Sequence, residues 1–236
     1  RSHSYIWAQI FFLDQGKSLG TDFRAFKKET DLSNKLSYDE NMQDSFEKVV
    51  SGIHAKIKDF SVRETKNSGI IELPDKVYIR ESADFSVEQR ALYDKVREEV
   101  KIEVVKRLLR LVQVTSNPRL VDDSFSGESA KEVVLDHLIK KILANDEKCI
   151  VWSSFIENIN YFCKKYANLG SVKIHGGMNM ADRNRSVERF YTNDYRVLFA
   201  TPASAKEGLT LTVANHVIFY DRGFSLDDYL QAQDRI

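Results

Sequence analysis

The sequence predicts an α/β protein, with a doubly wound parallel sheet in its second half preceded by a mainly helical region. Three observations carry this. From Ser129 onward, short apolar runs alternate with helical patterns: Cys149-Ile150-Val151-Trp152, Val172-Lys173-Ile174, Arg196 to Ala200 and His216 to Tyr220. That alternation is the mark of parallel strands covered by helices. Before Ser129 the apolar spacing is mostly helical. Third, Ser stands three residues ahead of Gln, Glu or Asp at Ser86, Ser129, Ser154 and Ser225, a pattern that opens helices by accepting the third amide of the turn.

Taken in order, Ser4 to Leu13 is a very apolar helix, either buried or bared by a missing neighbour, and Asp14-Gln15-Gly16 ends it. Tyr38 to Phe60 spaces Met42, Phe46, Val49, Val50, Ile53 and Ile57 as one helix face. Ser61 to Lys76 is polar, contains Gly and Pro74, and reads as a linker. Val77 to Phe85 alternates as a strand. A long helix follows from the Ser86 cap to about Thr115, and Asn117-Pro118 breaks it. Asp122 to Ser129 is the best boundary. Further helices are expected from Ser129 to Asn145, Ser154 to Tyr166, Ala181 to Tyr191 and from Ser225 onward. The division is therefore 1–76 helical segment and linker, 77–125 helical protrusion, and 126–236 α/β lobe.

The 236 residues suffice for one large or two modest domains, and 42% apolar residues support a core. The formal net charge is zero, so no global field draws the chain to nucleic acid and phosphate binding must come from local patches. Cys149 and Cys163 sit in apolar segments and read as small buried hydrophobes. No run is long enough to span a bilayer and no signal peptide opens the chain, so an intracellular protein is expected. Both ends read as internal to a longer polypeptide: Arg1 leads at once into an aromatic helix and Ile236 stops mid-helix.

Ligands of such sheets bind beyond the carboxyl ends of the strands. The polar residues there are Ser153-Ser154, His175-Gly176-Gly177, Thr201 and Asp221. In Thr201 to Thr212, Gly208 permits close backbone approach, and Thr201, Ser204 and Thr210 offer hydroxyls to a phosphate; an ordinary turn with capping hydroxyls fits equally. Gln231 and Arg235 are four apart and share a helix face. Arg235 could deliver fixed positive charge to a phosphate or pair with Asp228 or Asp234. The Gly176-Gly177 amides could dock a nucleic-acid phosphate, with Arg183 bracing that loop; a tight turn with a solvated Arg183 is the alternative. No Cys, His or carboxylate spacing accompanies His175, so no metal site is expected. Lys101, Lys106, Arg107 and Arg110 alternate with Glu98, Glu99 and Glu103, a solvated mixed-charge face rather than a nucleic-acid patch. The sequence contains no GxxxxGK[ST] loop, no acidic Mg-binding box after a strand, and no GxGxxG.

As an ordered set these pieces resemble the second half of a Swi/Snf-type superfamily-two ATPase motor. Tyr5 to Gly20 resembles the stretch after the first lobe's Thr-Pro motif. Phe60 to Lys76 resembles the RRTK…ELP.K linker, with Glu64 replacing one basic residue. Phe85 to Tyr93 and Leu108 to Leu120 resemble the helical protrusion. Lys148 to Phe155 matches motif IV. His175 to Phe190 matches the DG……R……F segment, with Gly176, Arg183 and Phe190 aligned and His175 replacing Asp. Thr201 to Thr212 matches motif V with Gly208 retained, and Gln231 to Arg235 matches the first half of motif VI. Ala205-Lys206 departs from the usual Gly-Gly, and Gly223-Phe224-Ser225 from Trp-Asn-Pro; these departures resemble bacterial or phage members.

The resemblance implies a RecA-like second helicase lobe that binds ATP with Mg mainly through a missing first lobe of the same polypeptide. It makes Arg235 an arginine finger, with Gly208 and Gln231 beside the nucleotide. Ser153, Ser154, His175, Gly176, Gly177, Thr201 and Lys206 would contact the backbone of double-stranded DNA. The implied protein is a DNA translocase, cytoplasmic rather than nuclear, and its second lobe alone is an inactive ATPase. A strand-separating helicase lobe and a non-catalytic binding module of the same fold are the rivals.

Overall fold

The structure, a computed structural model, describes residues 4–30, 40–62, 76–99, 103–207 and 211–235. It divides into two compact units, Arg1–Val77 and Tyr78–Ile236.

The first unit contains α1 (Ser4–Asp14), α2 (Phe23–Thr30) and α3 (Glu40–Ile57). Ile10, Leu19, Phe26, Ile53 and Ile57 form its core. The α1 helix stops where Gln15 and Gly16 take positive φ, with the Asp14 carboxylate accepting the Gly16 and Ser18 amides at 2.9 Å each. One side of α1 stays bare: Phe12 is 86% exposed. The α2 helix is an addition to the expected elements. Its start is capped by Asp22, which accepts the Arg24 amide at 2.8 Å. The side chains of Met42 and Phe46 and most of the expected linker lie outside the described residues.

Residues 76–86 form no strand. Val77, Tyr78 and Ile79 are exposed instead of lying on a sheet, because loose alternation without a neighbour to pair with does not hold a strand. The expected single long helix is two, α4 (Val87–Glu98) and α5 (Val104–Ser116). They pack as a hairpin: Gln89 Nε2 donates to the Val114 carbonyl at 2.9 Å, joining the start of α4 to the end of α5. No Gly or Pro marks the reversal; Glu99 simply turns extended. Asn117 ends α5 and caps the 3-10 turn Pro118–Leu120.

The expected capping boxes are half made. Ser86 accepts the Gln89 amide, but the fully buried Gln89 side chain serves Val114 and also accepts the Ala130 amide at 2.9 Å. Ser129 accepts the Glu132 amide at the head of α6 (Ala130–Ala144). The Glu132 carboxylate instead takes Lys165 at 2.7 Å, Tyr161 at 2.6 Å and Arg119 at 3.4 Å. Burial alone would raise its pKa, and these donors hold it below the ordinary value.

The lobe continues through β1 (Cys149–Trp152), α7 (Ile156–Lys165), β2 (Ser171–Ile174), α8 (Met180–Tyr191), β3 (Val197–Ala200), β4 (His216–Phe219) and α9 (Leu226–Gln233). The sheet is parallel throughout, in the order β2-β3-β1-β4. The chain moves one way from β1 to β2 and back from β2 to β3. Right-handed crossovers therefore put α7 and α8 on opposite faces. Ile159 and Phe162 of α7 join Leu135 and Ile139 of α6 on one face of the sheet. Phe190 of α8 and Ala232 of α9 pack with Trp152 and Leu198 on the other. Burial pushes the Cys149 thiol up to about 12, so it is an inert packing group.

Gly170, at φ +69°, lets the chain enter β2: a Cβ there would lie 1.8 Å from the Asp194 carbonyl oxygen. Gly170→Ala is therefore expected to destabilise the lobe by at least about 3 kcal/mol. A denaturant midpoint unchanged from wild type would count against this.

Candidate functional site

Strand register builds one rim. Ile174 and Trp152 both flank Ala200, and Trp152 also pairs with Phe219. The next residues therefore stand level: His175 after β2, Thr201 after β3, Ser153 after β1 and Tyr220 after β4. The ladder extends one step through Thr201 N to Ile174 O, Ser153 N to Ala200 O and Tyr220 N to Trp152 O, at 3.0–3.1 Å.

At one end of the rim, His175 is buried while Gly176 and Gly177 are exposed. The His175 Nδ1 accepts the Gly177 amide at 3.2 Å, which shapes the loop and requires a neutral acceptor nitrogen. Burial, then Lys173, pushes the His175 pKa below its ordinary 6.5. The folded state thus disfavours imidazolium. The stability this gives is present above pH 6.5 and is lost as pH falls through the lowered pKa. Wild type is expected to lose more melting temperature than His175→Gln between pH 7 and pH 5; parallel losses would refute the role.

Next along the rim, Thr201 is buried and the following 3-10 segment Pro202–Glu207 turns over it. Ser204 is turned inward, its hydroxyl donating to the Thr201 carbonyl at 2.6 Å. Arg183, buried on α8, donates to the Ser204 carbonyl at 3.3 Å, so it braces this turn as well as seating α8. The Lys206 side chain, Gly208 and Thr210 lie outside the described residues. The α9 helix packs against this segment, and the Leu211 amide donates to the Arg235 carbonyl at 3.1 Å. Gln231 and Arg235 are both half-buried there. The turn after β3 and the end of α9 therefore converge.

At the β1–β4 end, Ser153 is fully buried and its hydroxyl donates to Asp221 Oδ2 at 2.6 Å. It is committed inside the lobe, behind the rim, where Asp221 and Asn158 hold it. Ser154 is half-buried, and its amide donates to Asp221 Oδ1 at 2.6 Å. Ser154 is not the cap of α7. That helix starts behind Phe155, whose amide is taken by Ser153 Oγ at 3.3 Å. Lys131 donates to the Tyr220 carbonyl at 3.2 Å; burial lowers its pKa and Asp221 opposes the shift.

Sequence reading missed the partners behind Asp221. Ser116, at the end of α5, donates to Asp221 Oδ2 at 2.8 Å, and Asn158 donates to Ser116 at 2.8 Å. The polar side chains at a helix break and on an amphipathic helix were the visible signal, but nothing local paired them. Among the described residues, no cluster of three or more His, Cys, Asp or Glu could hold a metal ion. No described helix is long and apolar enough to cross a membrane.

A parallel sheet with helices on both faces and polar groups along its carboxyl rim is a doubly wound α/β lobe. Residues 130–236 match the family of the helicase conserved C-terminal domain. The candidate ATP-dependent helicase/translocase YwqA of Bacillus subtilis (strain 168) is 27% identical over 82% of this chain and 23% of its own length. The ISWI chromatin-remodeling complex ATPase ISW1 of Saccharomyces cerevisiae is 23% identical over 83% of this chain and 20% of its own. The Sulfolobus solfataricus SWI2/SNF2 ATPase core domain shares the fold, with a TM-score of 0.58 at 20% identity, covering 98% of this chain and 50% of that one. The same core in complex with dsDNA gives 0.55 at 21% identity, covering 92% and 48%. These likenesses are to the C-terminal lobe of Swi/Snf-type superfamily-two proteins. The chain spans about a fifth of the length of these curated relatives.

Proposed function

We propose that this chain is the second motor lobe of an ATP-dependent translocase on double-stranded DNA. The observation that carries it is the convergence of the turn after β3 with α9, sealed by the Leu211–Arg235 backbone bond. That packing sets Gln231 and Arg235 beside the segment that leads into Gly208. The chain has no phosphate-cradling loop of its own, so these residues offer one wall of a nucleotide site and a first lobe of the same polypeptide the other. ATP with Mg, when bound, supplies the phosphoanhydride to be broken. Arg235 would place a guanidinium on the charge that develops there, Gln231 a side-chain amide, and Gly208 a backbone free of Cβ.

Ser154, His175, Gly176, Gly177, Thr201 and Lys206 would touch the DNA backbone, with Ser153 holding the Ser154 loop from behind. Such contacts carry no base sequence information and are steeply salt-dependent. Lobe closure and opening would step the duplex along. Residues 77–125 would form the protrusion of this lobe, 126–236 the lobe proper, and 1–76 the segment trailing the first lobe. Relatives named as a helicase/translocase and a chromatin-remodeling ATPase support the reading.

The test uses the polypeptide carrying both lobes. Duplex DNA is expected to stimulate ATP hydrolysis, and ATP is expected to drive displacement of a triplex-forming strand without separating the duplex. Duplex unwinding would favour the strand-separating helicase. DNA binding without any hydrolysis would favour the non-catalytic module.

A further inference from the structure

We propose that Asp221 is a positioning residue that fixes the Ser154 loop on the DNA side of the rim to the end of the α4–α5 hairpin. The inference rests on the translocase reading. Asp221 is only 5% exposed, and its two oxygens are divided between two tasks. Oδ1 accepts the Ser154 amide at 2.6 Å. Oδ2 accepts the Ser153 and Ser116 hydroxyls at 2.6 and 2.8 Å, with Asn158 Nδ2 at 3.4 Å.

Ser116 is the last residue of α5, and a second layer holds it there. Asn158 donates to its hydroxyl at 2.8 Å and receives Asn117 Nδ2 at 2.9 Å. The Ser116 carbonyl accepts Tyr220 Oη at 2.7 Å and Ser129 Oγ at 3.3 Å. On the rim side the loop after β4 closes over the same point, since a Cβ on Gly223 would lie 3.3 Å from Ser154 Oγ. The Ser116 hydroxyl and the Ser154 amide end on the same acceptor-only carboxylate, so the hairpin cannot shift without passing strain to the Ser154 amide. In low dielectric such a network is rigid when complete. Asparagine has one accepting oxygen in place of two, and whichever way its amide turns, one of the two holds is lost.

The experiment measures DNA-stimulated ATPase of the two-lobe polypeptide against DNA and ATP concentration, with melting temperature as the fold control. Asp221→Asn is expected to raise the DNA concentration for half-maximal stimulation about tenfold, while turnover at saturating DNA and KM for ATP change less than about twofold. Ser116→Ala, away from the rim, is expected to raise it about threefold, and it decides alone if Asp221→Asn fails to fold. An unchanged DNA requirement overturns the proposal. So does a parallel loss of turnover, DNA affinity and ATP affinity, which marks general structural damage. If wild type shows no DNA-stimulated hydrolysis, the translocase reading itself has failed, and this is seen before any variant is compared.

Discussion

Replacing Arg235 by alanine in the polypeptide carrying both lobes is expected to lower ATP turnover by roughly a thousandfold or more, the range of arginine fingers. The bond that fixes this end of α9 runs from the Leu211 amide to the Arg235 backbone carbonyl, so it survives in alanine. Arg235→Lys separates charge from shape: lysine keeps the charge and loses the planar fork. A finger role predicts that lysine restores little of the turnover while nucleotide and DNA affinities stay near wild type. Near-normal turnover in Arg235→Ala, with melting temperature unchanged, would remove Arg235 from the chemistry.

The second large effect concerns the chain by itself. The isolated 236 residues are expected to hydrolyse ATP no faster than buffer, with or without duplex DNA. The sequence offers no GxxxxGK[ST] loop to cradle phosphates. The two-lobe polypeptide should turn over in the ordinary enzyme range of about 1–1,000 per second. Rapid DNA-stimulated hydrolysis by the isolated chain would contradict the assignment of nucleotide binding to another lobe.

The strands were legible because burial on both faces leaves a continuous apolar run, and Cys149 to Trp152 are fully buried. Their carboxyl ends then placed the rim residues without any knowledge of strand order. The α4–α5 reversal was hidden: it occurs without Gly or Pro, and helical periodicity continues on both sides of it. The Gln89 and Glu132 side chains were read as helix caps because capping is a local pattern. In the fold, partners 25 and 33 residues away take them instead. At the rim the sequence showed two serines but not which one turns inward. Asp221 and Asn158 hold Ser153 inside the lobe, and Ser154 stays at the edge. The burial of Asp221 depended on Ser116, 105 positions earlier, a pairing no local spacing can reveal.

The order β2-β3-β1-β4 also dictates how the lobe is born. β1 lies between β3 and β4, so the earliest of these four strands is flanked by the two made after β2. As the ribosome releases the chain from its amino end, the nascent Cys149–Trp152 segment stays an open template until residues 197–219 have emerged. Unpaired backbone on such a segment invites association with other chains. Synthesis that stalls between β2 and β3 would therefore yield an aggregation-prone intermediate, and residues 197–219 act as its closing seal.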